Sequence, residues 1–283
     1  MKTGVQQIML GKVCRDEMSA KAALERIKAA GYDGIELNRF MIHPSSMMVR
    51  MLTAAAGMPA GNAGRLDWAK LIRESDLEVI SLHTDLVSLE KDLHSHIEEA
   101  HTLQTSDIVI TGMYRFDYTD EEKLTDLTKR LNAAGRKLKE NGVRLLYHNH
   151  NIELCKTKSG KRAYDLLMEE SDPDFVNFEF DSYWFTEGGA DAAAWMEKLG
   201  KRMKKWHITD RGPADDKMSL TPIVKCDSRE LGQGCMDLKR LYAIAEKNET
   251  EAVVLESHRN WIDKDPLKSM ELSAKWLAER RTK

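Results

Sequence analysis

Gly142-Val143-Arg144-Leu145-Leu146 runs directly into Tyr147-His148-Asn149-His150-Asn151-Ile152-Glu153. The first five residues read as a buried strand, entered from Asn141-Gly142, a pair that ends helices. Side chains along a strand alternate faces, so His148 and His150 point the same way and Asn149 is opposed. Glu153 follows where the strand must give way to a loop. Two imidazoles and a carboxylate at one strand end supply metal ligands and proton-transfer groups together. The plainer alternative is a hydrogen-bonded structural histidine pair.

Outward from this strand the same unit repeats. Short apolar runs that read as strands lie at 5–10, 34–37, 79–83, 107–111, 176–181, 204–208 and 252–256. Helical patterns separate them. Ser19 is a candidate N-cap for a helix whose apolar side is Ala22, Ala23, Ile27 and Ala30, closed by Gly31. Further helices are expected at 66–75 and 90–103, from the candidate cap Asp120 to about Asn141, at 162–170 and at 190–199 before Gly200. Two more run from Asp237 to near Asn248 and from Pro266 to Arg281, and a long loop spans 210–235. Eight strand–helix units without a composition break predict one (β/α)8 TIM barrel over residues 1–283. A doubly wound sheet would usually carry a glycine-rich phosphate turn after its first strand; here Gly11-Lys12-Val13-Cys14 follows, without GxGxxG.

With 42% hydrophobic residues in 283, the chain can bury a large core. A net charge of -3 gives no electrostatic case for nucleic acid, which counts against a metal-dependent repair nuclease on the same fold. No run approaches the roughly 20 apolar residues of a membrane span. The first residues carry no apolar signal-peptide core. Cys14, Cys155, Cys226 and Cys235 are scattered without a CxxC pair, so reduced thiols and a cytoplasmic location are expected. The methionine-rich run of Met41, Met47, Met48, Met51 and Met58 reads as core filling, or as a pocket wall or partner surface.

Chemistry in a barrel gathers at the C-terminal ends of its strands. Those ends offer Glu36, His83, the group His148, His150 and Glu153, then Asp181, His207 with Asp210, and Glu256 with His258 and Arg259. Carboxylates converging on one volume repel unless a cation sits among them. Imidazole and oxygen donors without a thiolate set suit Mn, Mg, Zn, Fe or Co, with Mn the first choice.

These residues make the chain resemble the sugar phosphate isomerase/epimerase superfamily of xylose-isomerase-like barrels. The markers are Tyr147-His148-Asn149-His150 with Glu153, Phe180-Asp181-Ser182-Tyr183-Trp184, Trp206-His207-Ile208-Thr209-Asp210, Glu230-Leu231-Gly232-Gln233-Gly234 and Leu255-Glu256-Ser257-His258. The resemblance implies a divalent metal held by Glu153, Asp181, His207 and Glu256, with His148 and His150 as acid/base groups. Glu36, His83, Asp210 and His258 are left to bind substrate. Aligned strand by strand, however, the position of the family's first glutamate is His148, so His148 is the alternative ligand to Glu153. Thr209 stands where the family pattern has lysine. Gly31-Tyr32-Asp33-Gly34-Ile35-Glu36-Leu37-Asn38, Phe40-Met41-Ile42 and the methionine-rich run further resemble the large subunit of bacterial C-glycoside deglycosidases.

That closer resemblance implies a lyase that expels the aglycone of a 3-oxo-glycoside and works with a small β-rich partner subunit. The alternatives are an isomerase or epimerase of free keto-sugars, including inosose-type dehydration, or a non-catalytic scaffold. The intact candidate ligands argue against the scaffold.

Overall fold

The computed structural model describes residues 1–44, 51, 63–213 and 221–281. Eight parallel strands close into a barrel: β1 (Lys2–Gln6), β2 (Gly34–Asn38), β3 (Glu78–Thr84), β4 (Asp107–Thr111), β5 (Arg144–His148), β6 (Val176–Asp181), β7 (Met203–Ile208) and β10 (Ala252–Leu255). The order around the barrel is β1-β10-β7-β6-β5-β4-β3-β2. A separate antiparallel pair, β8 (Asp210–Pro213) and β9 (Cys226–Arg229), occupies part of the stretch expected as loop. The chain packs as two compact units. One comprises Met1, Val79–His207 and Ala243–Ala252; the other comprises Lys2–Glu78, Ile208–Tyr242 and Val253–Lys283.

In the first unit, Ile108, Val109 and Ile110 of β4 and Leu145, Leu146 and Tyr147 of β5 are all buried. Parallel strands covered on both faces read as unbroken apolar runs, which is how these segments announce themselves. The helix Glu121–Lys139 covers them with Leu124, Leu127, Leu131 and Leu138. Asp120 caps it as expected, accepting the Lys123 N–H at 3.2 Å. The helix expected over 90–103 is instead two, Leu86–Lys91 and Leu93–Thr102. Asp92 leaves helical geometry between them and accepts the Ser95 N–H, starting the second helix afresh.

Strand register carries the residues of β5, β6 and β7 together. His148 pairs with Glu179, and Asp181 pairs with His207, with a register shift at Phe178/Glu179. Lower in the barrel β4, β5 and β7 share a largely buried ionic knot. The Asp107 carboxylate takes two hydrogen bonds from Arg144, at 2.7 and 2.9 Å, and one from Lys205 Nζ at 2.6 Å. Lys205 also donates to the Ile80 carbonyl.

In the second unit β1 pairs with β2 from Gly4↔Gly34 to Gln6↔Glu36. The first strand stops at Gln6 rather than running to residue 10. The Gln6 side chain accepts the Ile8 N–H at 2.9 Å and turns the chain into the 3-10 segment Gln7–Leu10. The first helix is Glu17–Ala29, and its cap is Asp16. Ser19 lies three residues further on and completes a reciprocal capping box with it. Of the methionine-rich run, Met41 is buried and Met51 exposed, while Met47, Met48 and Met58 lie outside the described residues. No described helix is long and apolar enough to cross a membrane.

Burial alone raises the Asp107 carboxyl, but Lys205 and Arg144 outweigh it and hold it below the ordinary carboxylate value. A depressed folded pKa stabilises the fold above the unfolded value and is lost as pH falls through the folded one. Asp107→Asn leaves a buried ammonium without its anion and is expected to cost about 3–5 kcal/mol near neutrality. Urea unfolding of both proteins checks this; their difference should shrink below about pH 4. Equal midpoints at neutral pH would contradict it.

Candidate metal centre

Period-2 alternation puts Glu179 and Asp181 on one face of β6, with His148 of β5 and His207 of β7 alongside through the register. Glu179 Oε1 lies 3.0 Å from His83 Nε2, 3.2 Å from His148 Nδ1 and 3.0 Å from His207 Nε2. All four side chains are buried. The His83 and His207 rings stack at 5.6 Å, and the His148 ring centre is 4.6 Å from that of His207. Burial works to raise the Glu179 carboxyl, yet His207, His83 and His148 around it prevail and hold it well below the ordinary value.

The far side of His207 faces Asp181, with Nδ1 3.9 Å from Asp181 Oδ2. Asp181 is held from two directions. Its Oδ1 accepts the Trp184 N–H at 2.9 Å, capping the helix Ser182–Glu187. Its backbone is paired to the Asn149 side chain, which accepts the Asp181 N–H at 3.0 Å and donates to the Asp181 carbonyl at 3.1 Å. One ligand atom each from His148, Asp181 and His207 falls within 4.8 Å of the others. Two imidazoles and a carboxylate at that spacing suit a divalent cation of the Mn, Fe, Co or Zn type.

Glu153 is placed elsewhere. Its Oε1 accepts the Tyr147 hydroxyl at 2.7 Å, and its Oε2 accepts the His150 N–H at 3.0 Å. Tyr118 joins through the Tyr147 hydroxyl at 3.1 Å. Tyr147 alternates to the face opposite His148, so the 3-10 turn Ile152–Leu154 folds the carboxylate back onto the wrong side of the strand for the cluster. Complete burial pushes this carboxyl up to about 7, against the pull of the Tyr147 and backbone hydrogen bonds. A Cβ at Gly112 would stand 2.9 Å from Glu153 Oε1, so a side chain there would require the carboxylate to shift. Of the two fifth-strand candidates, His148 stands beside Asp181 and His207, and Glu153 is hydrogen-bonded to the Tyr147 hydroxyl and the His150 backbone.

Asp210 is engaged by backbone amides. Its Oδ2 accepts the N–H groups of Gly232 and Gly234 at 3.0 and 2.9 Å, and its Oδ1 those of Arg211 and Met236 at 2.8 and 3.1 Å. Four backbone donors occupy the carboxylate, which organises the Glu230–Gly234 loop. Gly234 permits this approach, because a Cβ there would come within 2.3 Å of Asp210 Oδ1. His83, expected among substrate contacts, stands against Glu179.

His150 is half-buried, its ring centre 5.0 Å from that of His148 and 5.8 Å from that of Trp184. In the second unit Glu36 is a buried residue of β2, and Glu256 follows β10, buried, 3.7 Å from His258 Nε2. The Thr209 hydroxyl donates to the Glu256 carbonyl, a backbone role at the position where a lysine was the family pattern. Sequence reading passed over Glu179 and Asn149. The alternation Phe178-Glu179-Phe180-Asp181 could have found the first, since it places Glu179 on the face of Asp181; nothing local marks Asn149.

The family model of the xylose isomerase-like TIM barrel matches residues 24–280. Among curated proteins, the inosose dehydratase of Clostridium tetani is 27% identical over 168 residues, covering 56% of this chain and 55% of that protein. That of Clostridium perfringens is 26% identical over 192 residues, covering 65% of this chain and 63% of that protein. The match thus spans about three-fifths of these relatives' length. Among solved structures, a sugar phosphate isomerase/epimerase from Parabacteroides distasonis superposes with a TM-score of 0.76 at 21% identity, covering 98% of this chain and 93% of that one. The IOLI protein with a bound zinc atom gives 0.67 at 15% identity, covering 99% and 97%. Those two likenesses speak to fold, and the family match reaches from the first helix to the last, across every strand end that carries a cluster residue from β2 onward: the chain belongs to the xylose isomerase-like TIM barrel family.

Proposed function

We propose that the protein is a divalent-metal-dependent lyase of cyclic keto-polyols. The observation that carries this is the buried trio of His148, Asp181 and His207, donors that fit a catalytic cation. Glu256 is proposed as a further ligand, from the resemblance of Leu255-Glu256-Ser257-His258 to the family's last strand end. Manganese is the proposed ion. When bound, it would polarise the substrate ketone and make the neighbouring C–H more acidic.

The chain's own residues supply the rest. His150, half-buried beside His148, is the proposed base, since an imidazole exchanges protons near neutrality. It takes the proton from the carbon next to the ketone. The C–H electrons become a carbon–carbon double bond as the bond from the following carbon to its leaving group breaks. The imidazolium then returns its proton to the departing group, which balances the step. Trp184, next to His150, offers an apolar wall to an aromatic leaving group. Glu36 and His258 are the proposed substrate contacts.

Two leaving groups fit this chemistry. An aromatic aglycone leaving C1 of a 3-oxo-C-glycoside is supported by the deglycosidase-like stretch Gly31-Tyr32-Asp33-Gly34-Ile35-Glu36-Leu37-Asn38, and a small β-rich partner subunit goes with that reading. Water leaving an inosose is supported by the inosose dehydratases among the relatives. Reprotonation without departure would make the enzyme an isomerase or epimerase.

Metal titration tests the site. The protein should bind about one Mn per chain, His148→Ala and Asp181→Ala should abolish binding, and Glu153→Gln should leave it intact. Calorimetry and elemental analysis read the result; a filled His148→Ala beside an empty Glu153→Gln would reverse the assignment. Incubation in heavy water with an inosose, a 3-oxo-C-glycoside and its unoxidised parent tests the reaction. Elimination from at least one ketone and none from the parent is expected, with His150→Ala about 10²–10⁴-fold slower and still metal-loaded. Deuterium entry into free ketoses without any group released would place the protein among the isomerases.

A further inference from the structure

Glu153 stands outside the trio of donors, yet its buried carboxyl group ends a series of hydrogen bonds that leads to His150. We propose that Glu153 is a positioning residue that sets His150 against the substrate carbon, and the proposal rests on His150 as the base. The series begins in the loop after β4, where the Met113 N–H donates to the Tyr118 hydroxyl at 2.8 Å. Tyr118 and Tyr147 share a hydrogen bond at 3.1 Å, and Tyr147 donates to Glu153 Oε1 at 2.7 Å. A hydroxyl has one proton to give. Tyr147 gives its own to Glu153, so the proton between the two tyrosines is that of Tyr118. The donors thus all point one way, and the series needs an acceptor at its end. Glu153 is that acceptor, and its second oxygen takes the His150 N–H at 3.0 Å. The loop after β4 is thereby tied to the backbone of the base.

The imidazole itself lies at the same place. A Cβ at Gly112 would stand 2.9 Å from Glu153 Oε1, 3.2 Å from the Tyr118 hydroxyl and 3.3 Å from His150 Nδ1. Carboxyl, phenol and imidazole therefore meet over one bare Cα just past β4. Tyr118, Tyr147 and Glu153 are buried, where water competes little for their bonds. The residue before the base is held as well, since the Asn149 side chain bonds the Asp181 backbone in both directions. His150 thus sits between an anchor on β6 and an anchor reaching to β4, and it stays half-buried. A fixed backbone under a side chain that a substrate can still reach is what a positioned base requires.

Amide hydrogen exchange at His150, with steady-state kinetics on an inosose and a 3-oxo-C-glycoside, tests this on wild type, Glu153→Ala, Glu153→Gln and Tyr147→Phe. Elemental analysis follows the metal. The wild-type His150 amide should exchange far more slowly than an open-chain amide. Glu153→Ala should lose that protection and lower kcat about 10²-fold, the cost of a slightly misplaced reacting group, at unchanged KM and metal content. Glu153→Gln keeps one acceptor oxygen for two donors and should recover part of both losses. Tyr147→Phe removes one anchor and should lower kcat less, again at unchanged KM. A Glu153→Ala with wild-type kcat would overturn the inference. So would the loss of metal from that variant, which would make Glu153 a ligand. Should Glu153→Ala fail to fold, a fast-exchanging His150 amide in wild type, or an unchanged kcat in Tyr147→Phe, contradicts the inference. A wild type that turns over neither ketone would refute the lyase, and full turnover in His150→Ala would refute the base. In either case His150 exchange still reads the hold by itself, and equal protection in wild type and Glu153→Ala would overturn it.

Discussion

The pairing of β5, β6 and β7 is the constraint on which the rest depends. Parallel strands in fixed register give each residue two neighbours it cannot choose, and alternation gives it one face. His148 opposite Glu179, and Asp181 opposite His207, follow from backbone hydrogen bonds alone. A one-residue slip of β6 would turn Glu179 and Asp181 away and present Phe178 and Phe180 to the imidazoles. The knot of Asp107, Arg144 and Lys205 ties β4 and β5 to β7, and so fixes the two strands between which β6 must pair; Arg144 adds two bonds to Glu251 at 2.6 Å.

The same constraint explains why acids close in sequence do different work. Glu153 sits three residues past His150 and belongs to the tyrosines, because the turn returns it to the face of Tyr147. Asp181 caps a helix with one oxygen and turns the other to His207. Asp210 spends both oxygens on the amides of a glycine-bearing loop. Residue type alone marks each as a candidate ligand. Face and hydrogen-bond demand separate them.

Much of the fold was legible in the sequence. Buried parallel strands such as 107–111 are unbroken apolar runs, and Asp120 marks its helix start from chemistry that acts over three residues. What the sequence concealed was set by local side-chain competition. Gln6 ended a strand by bonding two residues on, Asp92 split a helix, and Asp16 took the cap from Ser19. The site was legible as a set of strand-end residues and not as a division of labour. Strand alignment pointed to His148, but which residue a loop turns inward depends on a partner, Tyr147, that the motif itself does not reveal as one.

X-ray absorption at the metal edge of the loaded protein counts the imidazoles directly, free of any assumption about folding in a variant. With His148 and His207 both ligating, the extended fine structure should require two imidazole rings around the ion. A single imidazole in an otherwise oxygen shell would contradict this centre and return the fifth strand's place to a carboxylate.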